Sequence, residues 1–534
     1  MSERSMKHLM KGAAWLTAAS LISKILSAVY RVPFQNMVGD VGFYIFQQVY
    51  PIYGIAMTLA LGGFPVVISK MLAEANGDLR RQQIIMRAVF RTLRIVSITL
   101  FIFLFLFADL IAMMMGDPAL SELIRVISFV FLLMPYLAFM RGFFQSTGEM
   151  VPTAISQTIE QIIRVAIILL GAGLALNMGL DLYDAGSMAM SGAIFGGVSG
   201  IFVLRHFYNK KLASGQGLQP AVFAGKQEKI GIGRDFLRQS MAICVVSSML
   251  ILFQLVDSFQ VYRLMSDSGI PDFIAKSLKG IYDRGQPILQ LGLVLSTGLA
   301  LALVPMITAA RVQGQQKELK RSILLAIKIT LILSGAETVG LIVIMRPLNQ
   351  MLFQTPDGTF VLQLFMPAVF LSSLIVMLSS ILQGFGKIIV PAIGVGIGLV
   401  VKWVTGSVLI PHYATVGASI STCIGLAVVL LICYVSLKET IRIPFVEKSM
   451  LFRLIAALIL MAIIPCLIEW LVPFETRFGS AFQAIISALL GGGVFLVFAL
   501  RYKLLGPKDF VFLPFGSKLL ALSKLVAQNK KVGE

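Results

Sequence analysis

Continuous apolar runs, separated by short polar connections, fill almost the whole length of this chain. A helix needs about 20 mostly apolar residues to cross the hydrocarbon core of a bilayer. The runs do not alternate between apolar and polar residues, so they predict helices and not the strands of a barrel. Only 13% of the 534 residues are charged, which is too few to cover a water-exposed globule. We therefore predict an all-α polytopic membrane protein with about fourteen transmembrane helices.

Two stretches of the chain resemble each other and lie at matching places in the order of spans. One reads Arg141-Gly-Phe-Phe-Gln-Ser-Thr-Gly148 and the other reads Ser379-Ser-Ile-Leu-Gln-Gly-Phe-Gly386, and a proline follows each. In both, a Gln-x-x-Gly turn joins the fourth and fifth spans of a six-span set. Chance is the alternative, because glycine and proline are common in membrane helices. The matching location favours duplication into two pseudo-symmetric six-helix lobes.

The predicted spans divide into these two lobes and a further pair. They lie near 10–32, 42–70, 84–114, 119–145, 153–177 and 185–207, then near 236–265, 285–310, 319–346, 360–385, 388–410 and 413–437, and finally near 450–472 and 480–502. The predicted segments are an N-terminal lobe at 1–210, a basic cytoplasmic linker at 211–234, a C-terminal lobe at 235–440, an extra helix pair at 441–505 and a basic cytoplasmic tail at 506–534.

Basic residues are concentrated in alternate connections and give the chain a net charge of +19. The connections around Asp181 and His412 contain neither Lys nor Arg. Because Lys and Arg favour the cytoplasmic side of a membrane, both termini are predicted to be cytoplasmic. We attribute the positive charge to topology first and to attraction of anionic lipids second, and not to nucleic acid binding. The connection at 266–284 carries both signs of charge and is predicted to form a short surface helix.

Polar residues at helical spacing mark one face of the first predicted span: Thr17, Ser20, Lys24, Ser27 and Arg31. A charge at the centre of a bilayer costs about 2.5–3.5 kcal/mol on insertion scales. Lys24 lies near mid-membrane and its own helix offers no acid nearby, which favours a functional role. Arg31 lies nearer the outer end, where snorkelling to the interface is the alternative.

The fifth predicted span repeats this arrangement with Glu160 and Arg164, which are four residues apart in the favourable orientation for an ion pair. Pairing that only joins helices is the alternative to a functional role. We predict a cationic substrate-binding cavity formed by Lys24, Arg31, Arg164, Arg284 and Lys402. The acids are predicted to be counter-ions or sites for a coupling cation: Glu160, Asp257, Asp283 and Glu337.

Cations at mid-depth suit an anionic headgroup, because Lys and Arg neutralise phosphate and Arg binds it bidentately. The sequence has no G-x-x-x-x-G-K-[ST] loop, no H-E-x-x-H helix and no Cys-x-x-Cys pair, so we predict a transporter without a catalytic site, metal or cofactor. Transport is then expected to draw on a coupling ion, H⁺ or Na⁺, or on the membrane potential. That potential favours outward movement of an anion by about 2.3 kcal/mol per charge per 100 mV.

Three motifs stand out beyond these charges. They are Lys11-Gly-Ala-Ala-Trp-Leu-Thr-Ala-Ala-Ser20 with Ser23-Lys24 after it, Gly62-Gly-Phe-Pro65, and Tyr282-Asp-Arg-Gly-Gln-Pro287. They resemble the stage V sporulation protein B group of Gram-positive bacteria, within the multidrug/oligosaccharidyl-lipid/polysaccharide (MOP) exporter superfamily. More distantly, the chain is similar to the lipid II flippase MurJ. The resemblance runs over nearly the whole chain.

The resemblance implies a MATE/MurJ-like fold that works by alternating access, with the pair near 450–502 matching two extra helices. It also implies pyrophosphate contacts from Lys24, in the Ser-Arg position of that relative, and from Arg284, in the Asp-Arg that opens the eighth span. Two features depart from the pattern: Arg31 is offset by one position, and no arginine stands near 52–56. These departures leave a related undecaprenyl-linked sugar as an alternative to lipid II.

Three functions compete at this point. The expected one is a flippase that moves a lipid-linked oligosaccharide or peptidoglycan precursor to the outer leaflet of the cytoplasmic membrane. We expect it to act among membrane lipids as a monomer, with envelope-synthesis enzymes as potential associates. The alternative is a cation-coupled multidrug antiporter of the same superfamily, which would favour acids over bases in its N-terminal cavity. A membrane polymerase or ligase is the third, but the chain has no long outward loop that could carry catalytic residues.

Overall fold

A computed structural model describes residues 21–23, 25–213, 231–294, 297–298, 311, 314–441, 448–471, 474, 476–502 and 504. Within these ranges the chain forms helices and turns and no strand, which confirms the all-α prediction. The chain divides into two compact units, Met1–Asp283 and Arg284–Glu534. The central part of the predicted linker, most of the eighth predicted span beyond residue 294, and the predicted tail lie outside the described residues.

Unit 1 contains a helical stretch at 21–23 and 25–29, α1 (Arg31–Thr58), a π-helical turn (Leu59–Gly63), α2 (Phe64–Glu74), α3 (Leu79–Leu106), α4 (Ala108–Met114), a 3₁₀ turn (Pro118–Leu120), α5 (Ser121–Ser146), α6 (Met150–Asn177), α7 (Leu182–Ala213), α8 (Gly231–Ser247), α9 (Met249–Asp267) and α10 (Asp272–Asp283). Helices α6 and α7 pack side by side, α5 packs on α2, α3 and α7, and α10 lies along α1.

Small residues on α7 allow its close approach to α6. Gly192, Gly196 and Gly200 recur every fourth residue, so they share one helix face. A Cβ atom on Gly196 would lie 2.8 Å from the carbonyl oxygen of Glu160, and one on Gly192 would lie 2.8 Å from that of Arg164. Small-xxx-small stripes are typical of tightly packed helices in membranes. This contact fixes the part of α6 that carries its charged side chains.

Unit 2 begins with helical residues 285–294 and continues with α11 (Gln316–Val343), α12 (Met345–Phe353), α13 (Thr359–Phe365), α14 (Pro367–Gly384), α15 (Ile389–Ile441), α16 (Lys448–Leu471) and α17 (Arg477–Arg501). Helices α16 and α17, at the place of the predicted extra pair, pack against each other and both contact α11. The side chain of Thr476 caps α17 by accepting a hydrogen bond from the Gly479 amide at 3.2 Å.

Ten helices in the described part of the chain are long and apolar enough to span a membrane, and a bent pair makes an eleventh. Two of these ten stretches contain a sharp kink, at Gly39 in the first and at Ala414 in α15. The chain is thus an integral membrane protein, while the count of fourteen spans stays a prediction. The bent pair is α8 with α9, which meet at 71°. Ser248 lies at this bend and its hydroxyl donates to the Cys244 carbonyl, a bond that often bends helices.

The two repeated turns adopt the same backbone geometry. Gly148 has φ +76° and Gly386 has φ +78°, in the left-handed region that glycine adopts without strain. In each turn the glycine amide donates to the carbonyl of the glutamine three residues earlier, Gln145 or Gln383. The next amide donates to a carbonyl five residues back, which completes a Schellman cap. The caps between α5 and α6 and between α14 and α15 agree with the predicted duplication, although Gly116, Gly179 and Gly269 end helices with the same cap.

Candidate functional site

A buried arginine that stacks on a tyrosine lies at the start of α1. The Arg31 side chain has no exposed surface, and its Cζ lies 4.2 Å from the centre of the Tyr50 ring. None of its three nitrogens makes a hydrogen bond of ordinary geometry to a described residue, although the Tyr30 and Tyr50 hydroxyls lie close. A desolvated cation–π contact is worth about 2 kcal/mol. That is less than the several kcal/mol that burying the ion costs.

A second buried arginine projects from α6 into the same group of tyrosines. The Cζ of Arg164 lies 4.7 Å from the Tyr53 ring centre and 5.2 Å from that of Tyr30. Its Nη2 donates to the Ser27 hydroxyl at 3.3 Å. We call Arg31, Arg164, Tyr30, Tyr50 and Tyr53 the tyrosine–arginine cluster. Neither arginine forms an ion pair with a described residue, and Arg164 is 2% exposed, so the cluster is closed in this conformation.

The predicted polar face of the first span points toward this cluster where the structure describes it. Ser27 contacts Arg164, and Arg31 stacks on Tyr50. Lys24 lies on the same predicted face but outside the described residues. Its role in binding stays a prediction.

Glu160 pairs with an arginine from another helix. The Arg141 Nη2 on α5 donates to the Glu160 Oε2 at 2.5 Å, and the two side chains are 0% and 5% exposed. Arg141 also donates to the Ser156 hydroxyl at 3.1 Å. The ion pair expected from the spacing of Glu160 and Arg164 is not formed, because Arg141 reaches the carboxylate across the α5–α6 turn. Because Glu160 pairs with Arg141, it does not form a salt bridge with Arg164.

The other two predicted site acids of unit 1, Asp283 and Asp257, also have partners. The Lys279 ammonium donates to both carboxylate oxygens of Asp283 at 2.7 Å, and neither side chain is exposed. The Tyr282 hydroxyl donates to the Asp257 Oδ2 at 3.0 Å. Asp283 is within electrostatic range of Arg31 but forms no salt bridge with it. The helix predicted for 266–284 is confirmed as α10, but its last turn is buried and does not lie on the surface.

Helix α10 packs closely against α1 because residue 280 is a glycine. A Cβ atom on Gly280 would lie 2.0 Å from the carbonyl oxygen of Asp40. Only glycine allows this approach without a shift of the backbone. The contact brings the buried turn of α10 alongside α1, which carries Arg31 and the tyrosines.

The first turn of α10 belongs to a separate polar network, which we call the Asp117 network. The Tyr44 and Tyr183 hydroxyls donate to the Asp117 Oδ2 at 3.1 Å and 2.7 Å. The Lys276 ammonium lies 3.5 Å from the same oxygen and 3.1 Å from the Asp272 Oδ2. The Tyr262 hydroxyl donates to Asp272. The network thus joins α1, α7, α9 and α10 to the turn before the 3₁₀ segment.

Asp272 and Lys276 lie on α10, which is not one of the helices long enough to span a membrane. The hydrogen bond from Tyr262, followed by that from Lys276, lowers the pKa of Asp272. Burial disfavours the charged Lys276 ammonium, but the Asp117 and Asp272 carboxylates outweigh burial and raise the pKa of Lys276. Both shifts keep the Lys276–Asp272 pair charged over a wider pH range.

The predicted site residues of unit 2 have separate surroundings. The Arg284 Nη1 donates to the Thr355 Oγ1 at 3.1 Å and to the Asn349 Oδ1 at 3.3 Å, and its Cζ lies 5.3 Å from the Phe353 ring centre. Arg284 therefore holds the turn after α12. Lys402 is 1% exposed on α15. Glu337 lies on α11 beside a cavity of about 430 Å³.

Sequence reasoning missed the aromatic residues and two of the cations. Tyr30, Tyr50 and Tyr53 give no signal of their own, because aromatic residues are common in apolar helices. Arg141 stands in the repeated turn motif, and its charge inside an apolar span could have indicated a buried ion pair. Lys279 is four residues from Asp283, a spacing that favours an ion pair.

Ten or eleven long apolar helices with charged side chains buried between them define the class: a polytopic membrane protein. A family described as "Polysaccharide biosynthesis protein" matches residues 9–311. The membrane protein YabM of Bacillus subtilis (strain 168) is 38% identical over 524 residues, which cover 97% of each chain. The chain therefore belongs to the polysaccharide biosynthesis protein family.

Two further relatives from Bacillus subtilis (strain 168) confirm the predicted resemblance. The lipid II flippase MurJ is 27% identical over 91% of this chain and 94% of its own, and the stage V sporulation protein B is 22% identical over 96% and 98%. A solved MurJ structure in an inward closed conformation matches with TM-score 0.67, 15% identity and coverage of 91% and 98%. An inward-facing multidrug resistance MATE transporter of the MOP superfamily matches with TM-score 0.62, 16% identity and coverage of 78% and 94%. The MATE/MurJ-like fold is confirmed.

Proposed function

We propose that this chain is a flippase that moves an anionic lipid-linked sugar precursor, of the undecaprenyl-pyrophosphate type, from the cytoplasmic to the outer leaflet by alternating access. The observation that carries the proposal is the tyrosine–arginine cluster. It holds two buried guanidinium groups that no described carboxylate neutralises. A ligand with phosphate oxygens supplies the negative charge and the acceptors that these groups lack.

The pairing of the buried charges in unit 1 supports an anionic ligand. Among the described residues its buried cations are Arg31, Arg141, Arg164 and Lys279, and its buried acids are Asp117, Glu160, Asp257 and Asp283. Each acid accepts a hydrogen bond from a cation or a tyrosine, whereas Arg31 and Arg164 contact rings and hydroxyls and form no salt bridge to a described residue. The charge that lacks a paired counter-ion is therefore positive, which is the sign that attracts a pyrophosphate.

The same pairing argues against the multidrug antiporter. Such a carrier needs an acid in its N-terminal cavity that is free to bind the cationic drug. Glu160 is occupied by Arg141, and Asp283 by Lys279. MurJ is named as a lipid II flippase, which agrees with the proposed class of cargo.

The sign of the charge on the cargo determines whether the membrane potential can drive its movement. If the cargo remains net negative while it moves outward, the membrane potential supplies about 2.3 kcal/mol per charge per 100 mV. The proposed orientation places both termini and the basic connections in the cytoplasm. Single cysteines at the connections, labelled from either side of sealed vesicles, test this orientation.

A flipping assay in proteoliposomes tests the function. Labelled undecaprenyl-pyrophosphate sugar is incorporated, and its appearance in the opposite leaflet is followed with a membrane-impermeant reagent. Arg31→Gln and Arg164→Gln each remove a charged donor whose hydrogen bond to an anion is worth about 1.5–3 kcal/mol, so we expect rates lower by about tenfold or more. Lys24→Ala and Arg284→Ala test the remaining predicted contacts in the same assay.

Arg125→Gln is the matched control. Its guanidinium lies 2.5 Å from Asp109 in an exposed pair, away from the cluster, so the rate should stay at the wild-type value. Wild-type rates from both Arg31→Gln and Arg164→Gln would remove the cluster from the transport path. Export of lipophilic cations without movement of the labelled lipid would favour the antiporter instead.

A further inference from the structure

We infer that Glu337 is a proton-binding group that is neutral in this conformation and ionises when its side chain turns into the neighbouring cavity. The further step, that this proton is coupled to transport, rests on the proposed function. Binding is a simple protonation: one carboxylate oxygen gains a proton and the group loses its negative charge. No electron moves and no other bond changes.

The first observation is that the carboxyl group of Glu337 is sealed. Both of its oxygens are shielded from water and neither has a hydrogen-bond partner among the described residues. An ionised carboxylate removed from water without a donor or a cation is far less favourable than the neutral acid. The arrangement therefore accommodates the protonated form.

The second observation is that, among the described residues, no charged side chain pairs with Glu337. The helices in contact with α11 carry their charged residues toward their ends: Arg346 on α12, Lys448, Arg453 and Glu469 on α16, and Arg477 and Arg501 on α17. The described parts of α13, α14 and 285–294 carry none. On α11 itself, Lys328 lies more than two turns away.

The third observation is the cavity of about 430 Å³ that the stem of Glu337 lines. Its walls come from 288–292, α11, α12, α16 and α17, and they are apolar except for Glu337 and Ser487. Glycines leave open space here, since a Cβ atom on Gly492 would meet no atom within 4 Å. A change of side-chain rotamer can move the carboxyl from its sealed position into this space, and the carboxyl ionises there when water enters with it, since an apolar cavity without water does not favour the charged form.

These observations give Glu337 two positions with different proton affinity. The sealed position holds the proton, and the cavity position releases it once water has entered the cavity. An ionisable residue inside a membrane protein is costly to keep, which is why such residues commonly serve ion or proton movement. Transport that alternates between the two positions would move one proton per cycle.

Infrared spectroscopy of the purified chain in nanodiscs tests protonation without any transport. We expect a C=O stretching band of a protonated carboxylic acid at neutral pH, and Glu337→Gln should remove it. Glu469→Gln is the matched control, because Glu469 lies 3.8 Å from Arg346 and should not contribute to that band. Gly492→Leu fills the cavity and leaves Glu337 in place, so the band should persist to higher pH than in the wild type. An unchanged band in Glu337→Gln would overturn the inference.

The coupling step is tested separately in the flipping assay with an imposed pH gradient. We expect the wild-type rate to depend on the gradient and the Glu337→Gln rate to be insensitive to it. A gradient dependence that Glu337→Gln retains would refute coupling. If the wild-type chain moves no lipid, the proposed function fails, while the infrared result still decides the protonation of Glu337.

Discussion

The buried Arg141–Glu160 pair allows a quantitative test of how burial sets the energy of an ion pair in this fold. The perturbation is Glu160→Gln, which removes the negative charge and keeps the size of the side chain. Arg141 then stays buried at 0% exposure with only neutral acceptors: the new amide oxygen, the Ser156 hydroxyl and a backbone carbonyl. Gly200 packs against the pair, since a Cβ atom there would lie 3.2 Å from the Glu160 Oε2, and so it limits access of water.

The magnitude follows from the contrast with an exposed pair of equal length. Breaking one partner of a buried pair costs about 3–5 kcal/mol, because the remaining charge is unneutralised. Arg125 and Asp109 are also 2.5 Å apart, but their side chains are 40% and 61% exposed. Asp109→Asn should therefore lower the free energy of unfolding by about 0–1 kcal/mol. Distance is matched, so the difference between Glu160→Gln and Asp109→Asn measures burial.

The assay is reversible unfolding in mixed micelles. The free energy of unfolding is measured for the wild type, for Glu160→Gln and Asp109→Asn, for the single variants Arg141→Met and Glu160→Leu, and for the double variant Arg141→Met/Glu160→Leu. The double variant removes both charges, so it should be more stable than Glu160→Gln alone. Equal losses in Glu160→Gln and Asp109→Asn would refute the reasoning. So would a double variant whose loss equals the sum of the single Arg141→Met and Glu160→Leu losses.

Two further predictions concern α10. Gly280→Ala places a Cβ atom 2.0 Å from the Asp40 carbonyl and should lower the free energy of unfolding by about 1–3 kcal/mol, whereas Gly396→Ala, with open space around it, should not. Lys276→Met should destabilise most between about pH 4 and pH 10, near the ordinary carboxyl and lysine values. The lowered pKa of Asp272 gives stability that is lost as pH falls through its folded value, and the raised pKa of Lys276 gives stability that is lost as pH rises through its folded value. Thermal unfolding across pH checks this, and a pH-independent difference would contradict it.

The fold class and the repeat could be predicted from the sequence because both depend on local patterns. Apolar runs of sufficient length define spanning helices without knowledge of their neighbours. Gly148 and Gly386 end their helices through a positive φ, which depends on the local turn and not on distant contacts. The bend at Ser248 could not be predicted in this way, because it has neither proline nor glycine, and Ser334 makes the same kind of bond within the continuous helix α11.

The site was predicted in part. Arg31 and Arg164 stand out because charges in apolar helices are costly, and the structure brings them together among tyrosines. The predicted partner of Glu160 was wrong, because the i, i+4 spacing rule considers residues of one helix and gives no information about a side chain from the neighbouring helix. Arg141 reaches Glu160 only because the turn at Gly148 folds α6 back beside α5.

The closed tyrosine–arginine cluster has a consequence for measurements of affinity. A ligand that needs these guanidinium groups binds only the fraction of molecules in which the rings have parted. If about 1% of molecules are open, the apparent dissociation constant is about a hundredfold weaker than that of the open form. Smaller side chains at Tyr50 or Tyr53 would then tighten equilibrium binding while slowing the return to the closed state, so affinity and turnover would change in opposite directions.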